Sequence, residues 1–271
     1  MMTNKRRILT IAGLDVSGGA GINADLSTFH EFNSYGQAVL TAIVAMEPET
    51  WNHLVFPVPM EQIKLQIETA LASDLPLTAI KTGMLGTVEM VQLARDVIDK
   101  SDCACIVIDP VLVCKGTDEV LNPQTAKALR DELMPRSTII TPNLFEAGQM
   151  AGFDHTPQTK EEVEAAAKAM VERGAKNVAI KGSRGLSSEK AIDLFYDGKE
   201  MVWLEAEKIH DPATHGAGCT FAAAITAGLA MGLTPLESVK LAKDYVHKAI
   251  EHGFAYNKFV SPVYRPGYRE A

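Results

Sequence analysis

Hydrophobic and polar positions follow two patterns along this chain: compact apolar runs and longer stretches in which apolar residues recur at helical spacing. The run "QAVLTAIVAM" is almost continuously apolar, which is typical of a strand buried on both faces of a parallel sheet. After the first apolar run, a glycine-rich loop leads into a stretch with Ile22, Leu26, Phe29 and Phe32 on one helical face. The pattern therefore predicts strands that alternate with helices.

The same two patterns continue to the end of the chain. Strands are predicted at "RRILTIAG", "QAVLTAIVAM", "LTAIKTGML", "CACIVIDPVL", "STIITPN" and "KNVAIKG". Helices are predicted at "INADLSTFHEF", "MEQIKLQIETALA", "TVEMVQLARDVIDK", "NPQTAKALRDELM" and "KEEVEAAAKAMVERG", with two more at 216 to about 231 and 234 to 252. The segment "AIDLFYDGKEMVWLEAE" predicts a hairpin on the Asp197-Gly198 turn. The predicted fold class is α/β, a three-layer αβα sandwich with a mainly parallel central sheet, in one domain over 1–271.

Composition and charge limit the kinds of partner that this protein is expected to bind. Hydrophobic residues make up 46% and charged residues 22% of the 271 positions, and no apolar run reaches the roughly 20 residues of a spanning helix. The basic start "MMTNKRRILTIAG" has no small-residue cleavage site, so we expect a cytoplasmic protein without a membrane partner. A net charge of −8 opposes nucleic-acid binding. Small-molecule partners are expected, and phosphates would be bound by local positive groups.

Polar residues follow several predicted strands, and in parallel sheets ligands bind at these carboxyl ends. Asp109 ends a core strand and needs a partner or a cation, unless it caps a turn. Asn143 and Glu146 in "TPNLFEA" suit an Mg²⁺ shell, but they also suit an N-cap with its capping-box partner. Lys181 in "IKGS" suits a phosphate, although it could be an ordinary solvated lysine.

The segment "HGAGCTFAAAI" leads from a polar loop into an alanine-rich helix. Gly216 and Gly218 would bring bare backbone N–H groups to the helix N-terminus, where an anion can bind. Cys219 would lie in the first turn, where we expect the helix to lower the pKa of its thiol. The alternative is that Cys219 is a small buried residue that permits close packing.

The order of these motifs is more specific than any one of them. A glycine loop, D-P at a strand end, P-N-x-x-E, K-G and G-A-G-x-T together resemble the ribokinase-like small-molecule kinases over essentially the whole chain. Cys219 stands where most of that superfamily has an aspartate base. This replacement resembles the branch that holds hydroxymethylpyrimidine phosphate kinases and similar bacterial pyridoxal kinases, which "KTGML" and "DPVLVCKG" also match.

The resemblance implies ATP and Mg²⁺ as cofactors and assigns the residues of a kinase site. ATP would contact Asn143, Glu146, Lys181, Gly182, Gly216 and Ala217, and Asp109 and Glu146 would hold the metal, with Lys81 as a weaker candidate. The N–H groups of Gly216 to Gly218 would stabilise the transferring phosphoryl group, and Cys219 would be the base. The acceptor ring would lie among Asp15, Ala20, Gly21, Met46, Met84 and Val111.

One departure from the pattern bears on the acceptor. Hydroxymethylpyrimidine kinases typically have glutamine at the position of Met46, and a thioether cannot donate to an aminopyrimidine. His53 in "TWNHLVF" resembles the pyridoxal kinases and would contact the pyridine's phenolic oxygen, unless it is a surface histidine. We therefore expect phosphorylation of the 5′-hydroxymethyl group of vitamin B6 vitamers. The alternatives are a hydroxymethylpyrimidine kinase and a non-catalytic vitamer sensor.

Two further expectations concern a second thiol and the oligomeric state. Cys114 lies in a polar segment near 111–121 that is interpreted as a lid. Lid closure would bring Cys114 to the acceptor, where it would assist a hemithioacetal between pyridoxal and Cys219; otherwise Cys114 is an inert loop thiol. The resemblance also implies a homodimer, formed through an exposed apolar edge.

Overall fold

A nine-stranded sheet organises the chain, with the strand order β3-β2-β1-β4-β5-β6-β7-β8-β9. The computed structural model describes residues 5–112, 122–183, 186, 189–210 and 212–269. Neighbouring strands from β2 through β1, β4, β5 and β6 to β7 are parallel. The two edges are antiparallel, since β3 pairs with β2 and β8 pairs with both β7 and β9.

The strands alternate with helices over most of the chain. The strands are β1 (Arg7–Asp15), β2 (Tyr35–Met46), β3 (His53–Pro57), β4 (Ala79–Thr82), β5 (Ile106–Ile108), β6 (Ile139–Ile140), β7 (Val178–Ser183), β8 (Lys190–Tyr196) and β9 (Met201–Glu207). The helices are α1 (Gly21–Glu31), α2 (Met60–Leu71), α3 (Val88–Lys100), α4 (Pro123–Ala128), α5 (Leu144–Ala151), α6 (Lys160–Glu172), α7 (Ala217–Ala230) and α8 (Pro235–Glu251).

Alternate residues of the central strands pack against two different helix layers. Leu9 of β1 and Ile80 of β4 belong to the core shared with α2 to α6. Ile8 of β1 belongs to the second core, which contains α1, α7 and α8. Helix α7 is buried from Thr220 to Ala230, and its alanines permit this close packing. Helices therefore cover both faces, as a parallel sheet requires.

The predicted three-layer αβα fold class is confirmed, and so is the hairpin, because β8 and β9 flank Gly198 at φ +89°. Strand β3 was missed, since its residues are half-buried or exposed and form no buried apolar run. The predicted helix at "NPQTAKALRDELM" is shorter: after α4 the chain forms a π-helical turn, Leu129–Leu133, and a 3₁₀ turn, Met134–Arg136. Pro135 has no N–H to continue an α-helix.

The single domain over 1–271 and its lid near 111–121 stay predictions, because residues 113–121 lie outside the described part of the chain. Within the described ranges, every helix is too short or too polar to cross a lipid bilayer.

Candidate active site

One cavity of about 220 Å³ lies at the carboxyl ends of the parallel strands. Its walls come from the ends of β1, β4, β5 and β7 and from the N-termini of α1, α5 and α7. It brings together thirteen of the predicted site residues: Asp15, Ala20, Gly21, His53, Met84, Asp109, Val111, Asn143, Glu146, Lys181, Gly216, Gly218 and Cys219. These residues are distant in the chain, so parallel pairing of the strands creates the site.

Four predicted residues are not among those that line the cavity. Met46 is half-buried and pairs with His53 across β2 and β3, beyond Val44, which does line the cavity. Gly182 follows the lining residue Lys181, and a Cβ placed on Gly182 would meet Leu186 and Ile192. Ala217 lies between the lining residues Gly216 and Gly218. Cys114 lies outside the described residues.

Asp15 at the end of β1 organises the glycine loop. Its Oδ1 accepts the Ser17 N–H at 2.8 Å, and its Oδ2 accepts the Ala20 N–H at 3.2 Å. Burial raises the pKa of Asp15, but the hydrogen bonds from His215 and Ser17 outweigh it and hold that pKa below its ordinary value. Asp15 is thus an anion that fixes the loop entering α1 as well as a wall of the cavity.

His215, which the sequence reasoning did not single out, joins this network. Its Nε2 lies 2.5 Å from Oδ2 of Asp15 and 3.2 Å from Oγ of Ser17, and the side chain is buried. Its Nδ1 is buried and finds no hydrogen-bond partner among the residues that the structure describes. The motif "HGAGC" placed His215 beside Gly216, but only the fold brings it onto Asp15, 200 residues away.

A second charged cluster lines the same cavity. Nζ of Lys181 lies 2.9 Å from Oδ1 of Asp109, which is 2% exposed. The carbonyl of Pro142 accepts the Lys181 N–H at 2.8 Å, which brings the end of β7 next to Asn143. Burial lowers the pKa of Lys181, and the carboxylates of Asp109 and Glu146 more than offset this, so the pKa is raised. Lys181 is therefore a charged, largely enclosed group, and the solvated alternative was wrong.

Asn143 and Glu146 form the capping box that was kept as an alternative. Oδ1 of Asn143 accepts the Glu146 N–H at 2.8 Å, and Oε2 of Glu146 accepts the Asn143 N–H at 2.9 Å. The capping does not remove Glu146 from the cavity, since its side chain is buried there and accepts the Leu112 N–H. Burial raises the pKa of Glu146 to about 7, and Lys181 only partly offsets this.

The two carboxylates suit an Mg²⁺ ion that is also bound by water and substrate phosphates, and they are too few for a metal bound by protein side chains alone. Within the described residues, no group of three or more His, Cys, Asp or Glu side chains could hold a metal. Asp109 and Glu146 offer carboxylate oxygens close enough for the charge of one to raise the pKa of the other. Mg²⁺ typically uses one or two carboxylates and completes its shell with water and substrate phosphates.

Cys219 lies in the first turn of α7, whose N-cap is Gly216 at φ +80°. The Gly21 N–H at the start of α1 donates to its sulfur, so two helix N-termini meet there. The expectation of a lowered pKa was nevertheless wrong. Burial and the Asp109 carboxylate together raise the pKa of Cys219 to about 11, and Lys81 offsets this only in part. Desolvation of the thiolate outweighs the helix N-termini.

Beneath Cys219 lies a buried ion pair that the sequence reasoning found only in part. Nζ of Lys81 lies 3.1 Å from Oδ1 of Asp25, and the Thr10 hydroxyl donates to Oδ2 at 2.6 Å. All three side chains are fully buried, and Lys81 also reaches the cavity. Asp25 escaped notice because it lies within an amphipathic helix with no motif around it.

Comparison with known proteins agrees with this geometry. A sequence model described as phosphomethylpyrimidine kinase matches residues 15–264. The pyridoxine kinase of Bacillus subtilis (strain 168) is 49% identical over 257 residues, covering 94% of each chain. The pyridoxal kinase of Staphylococcus aureus in complex with AMP-PCP superimposes with a TM-score of 0.94 at 47% identity, covering 98% of this chain and 95% of that one.

A relative named for a different acceptor is less similar. The hydroxymethylpyrimidine/phosphomethylpyrimidine kinase of Haemophilus influenzae (strain ATCC 51907 / DSM 11121 / KW20 / Rd) is 38% identical over 260 residues, covering 93% of each chain. The resemblance inferred from the motifs is thus confirmed, and this chain belongs to the phosphomethylpyrimidine kinase family of ribokinase-like enzymes.

Proposed function

We propose that this protein is an ATP-dependent kinase that phosphorylates the 5′-hydroxymethyl group of vitamin B6 vitamers. One observation carries the proposal: a single cavity holds a nucleotide-type cluster, Asp109, Glu146 and Lys181, and also the half-buried thiol of Cys219 at the N-termini of two helices. A phosphoryl donor and a hydroxyl acceptor can meet there. The identity of 49% to a pyridoxine kinase supports the acceptor, against 38% to a hydroxymethylpyrimidine kinase.

Each group has a chemical task in this proposal. The backbone N–H groups of Gly216 and Gly218 bind the equatorial oxygens of the transferring phosphoryl group, whereas the Ala217 N–H donates to the Thr214 carbonyl at 3.1 Å. Lys181 offsets the negative charge of the phosphoryl group. Cys219 takes the proton of the acceptor hydroxyl as the new P–O bond forms. With a thiol pKa of about 11, Cys219 is protonated in the ligand-free protein, so its proton must pass to solvent water before the thiolate can accept the hydroxyl proton. Phosphoryl transfer tolerates this because positioning and charge supply most of the catalysis.

Asp109 and Glu146 would hold Mg²⁺ in the assembled complex. The ion supplies positive charge that neutralises the phosphates, and it also offsets the Asp109 carboxylate that raises the pKa of Cys219. The raised pKa of Glu146, about 7, falls within the range where a bound cation would convert it to the carboxylate.

The acceptor half of the cavity consists of apolar and small residues. Gly21, Met84 and Val111 line it, with His53 at its rim. Such a lining suits one face of an aromatic ring, while Met46 offers no donor to an aminopyrimidine at the neighbouring position. Cys114 and a lid near 111–121 remain part of the proposal as a cover for this half.

A homodimer in the cytoplasm is the proposed state of the protein. Strand β3 forms one edge of the sheet and exposes Leu54, Val55 and Phe56, the last to 54%. An exposed apolar edge strand makes a monomer prone to aggregation, and pairing with a second copy of the chain would bury this edge. Sedimentation analysis of the wild type and of Phe56→Glu tests this: the variant is expected as a monomer.

Acceptor profiling tests the function. Purified protein with ATP and Mg²⁺ is given pyridoxal, pyridoxine, pyridoxamine and hydroxymethylpyrimidine, and kcat/KM is measured for each. The proposal expects B6 vitamers to exceed hydroxymethylpyrimidine by at least about tenfold. A reversed order would make the protein a hydroxymethylpyrimidine kinase. Vitamer binding without turnover of any acceptor would make it a sensor.

A further inference from the structure

A C-terminal arginine contacts the glycine loop at the acceptor side of the cavity. Arg265 begins a 3₁₀ turn, Arg265–Arg269, after the last helix. Its Nη1 donates to the carbonyl of Gly19 at 3.0 Å and its Nη2 to the carbonyl of Gly18 at 2.9 Å. The guanidinium thus spans two consecutive peptide groups that lie 246 and 247 residues earlier in the chain.

The other sides of these two peptide groups are also held. A trans peptide directs its C=O and N–H to opposite sides. The Gly19 N–H donates to Oγ of Ser17 at 3.4 Å, and the Ala20 N–H donates to Oδ2 of Asp15 at 3.2 Å. Both peptide planes are therefore fixed, with Arg265 on the carbonyl side and the Asp15 network on the N–H side.

The fixed loop contacts the loop that carries the phosphoryl-binding N–H groups. The carbonyl oxygen of Gly19, which accepts from Arg265, would lie 1.9 Å from a Cβ placed on Gly216. A Cβ on Gly19 would lie 2.2 Å from Cδ2 of His215. The two glycine loops thus pack backbone against backbone, with no room for a side chain on Gly19 or Gly216.

The C-terminal segment binds this second loop as well. The His215 N–H donates to the carbonyl of Ser261 at 3.1 Å, and the Val263 N–H donates to the carbonyl of His215 at 3.1 Å. Residues 261–265 are therefore joined to both glycine loops within five positions. The acceptor wall at Ala20 and Gly21 and the N-terminus of α7 at Cys219 share this anchor.

A planar guanidinium suits this task better than another cation. Two parallel N–H donors match two adjacent carbonyls, whereas a lysine ammonium would reach one of them. Burial lowers the pKa of Arg265, in keeping with its enclosure between the loop and the C-terminal segment. The guanidinium still keeps its charge at neutral pH, and charged donors form the stronger hydrogen bonds.

We propose that Arg265 is a positioning residue that orients the Gly18–Gly19 peptides and thereby sets the acceptor wall against Cys219. The proposal deepens the proposed kinase function and rests on it for its kinetic consequences. Arg265 lies behind the loop, so its loss should displace the acceptor while leaving the Asp109 and Lys181 cluster in place.

The test compares Arg265→Met with Arg269→Met as a matched control. Arg269 belongs to the same 3₁₀ turn but pairs with Glu31 at the surface, with 70% of its side chain exposed. We expect Arg265→Met to raise the KM for pyridoxal and lower kcat, with a combined loss of roughly 10²-fold, because misplacement by about 1 Å costs that much. The KM for ATP should stay within about twofold of the wild type for both variants.

Amide hydrogen exchange provides a readout that does not depend on turnover. Exchange at Gly19 and Ala20 should become at least about tenfold faster in Arg265→Met and stay unchanged in Arg269→Met. Arg265→Lys keeps the charge but would reach only one of the two carbonyls, so it should fall between the wild type and Arg265→Met. If Arg265→Met does not fold, this variant supplies the same comparison.

Three results would overturn the inference: equal kinetics in the Arg265 and Arg269 variants, an equal rise of both KM values, or unchanged exchange at Gly19 and Ala20. Failure of the proposed kinase function would give a different set of results. The wild type would then phosphorylate no B6 vitamer, while exchange at Gly19 and Ala20 would still respond to Arg265→Met.

Discussion

Lys81→Met should destabilise the protein strongly through the carboxylate that it leaves behind. Lys81 and Asp25 are both fully buried and lie 3.1 Å apart at their closest. Among the described side chains, only Thr10 would still donate to Asp25. Removing one partner of a buried ion pair costs about 3–5 kcal/mol. Protonation of Asp25 limits the loss, so we expect about 3 kcal/mol at neutral pH, or about 6–12 °C in Tm.

The loss should depend on pH in a defined direction. Burial already raises the pKa of Asp25 above its ordinary value, even with Lys81 present to lower it. Without Lys81 the folded-state pKa of Asp25 rises further, so the folded protein binds a proton that the unfolded chain releases at lower pH. The stability deficit of Lys81→Met should therefore be small below the unfolded pKa of about 4 and grow as the pH rises.

Chemical unfolding at pH 5 and pH 8 measures these differences, with two further variants for comparison. Lys127→Met removes a lysine from an exposed pair with Asp131, so it should change stability by less than about 0.5 kcal/mol. Lys81→Met/Asp25→Asn removes both buried charges and keeps an oxygen that can accept from Thr10, so it should regain much of the loss. Equal losses in the single and double variants would refute the reasoning, as would a Lys81→Met protein as stable as Lys127→Met.

Three predictions concern the cavity. Met46→Gln should shift the ratio of kcat/KM values toward hydroxymethylpyrimidine by about tenfold, because it supplies a donor and an acceptor; an unmoved ratio would remove Met46 as a determinant. Glu146→Gln should weaken the Mg²⁺ dependence of turnover. Because the pKa of Glu146, about 7, lies above its ordinary value, ionisation of this buried carboxyl lowers the free energy of unfolding as the pH rises from about 4.5 to about 7. The variant should therefore gain Tm over the wild type at pH 8 and not at pH 4, and a gain that is equal at both would contradict the assignment. Cys219→Ala should lose roughly 10²- to 10⁴-fold in turnover and keep nucleotide binding, measured by calorimetry. Because the pKa of the Cys219 thiol is about 11, the rate of its alkylation in the wild type should increase up to about pH 11, as measured by mass spectrometry. A rate that reaches a plateau near pH 8 would show a lowered pKa instead.

The sequence determined the layers of the fold because the spacing of apolar residues within each strand or helix indicates which of its faces is buried. Apolar runs such as that of β1 and the helical spacing of Ile22, Phe29 and their neighbours are local properties, and so is the turn at Gly198. The expectation that β2 is buried on both faces was wrong, because β2 lies next to the edge strand β3 and exposes Ile43. The motif order was equally informative, since "TPNLFEA", "IKGS" and "HGAGC" each end a strand or begin a helix. The family followed from that order, and the comparisons confirmed it.

Other features were decided only by the tertiary structure, because they depend on which distant groups share a buried volume. The pKa of Cys219 was expected to be lowered by its own helix, but burial and Asp109 from another strand raise it. Asp25 carries no motif, and it matters because β4 brings Lys81 to it. Arg265 lies in a segment without periodicity, and folding alone brings its guanidinium to the Gly18 and Gly19 carbonyls. Desolvation and long-range pairing are properties of the folded state, so no local pattern in the sequence encodes them.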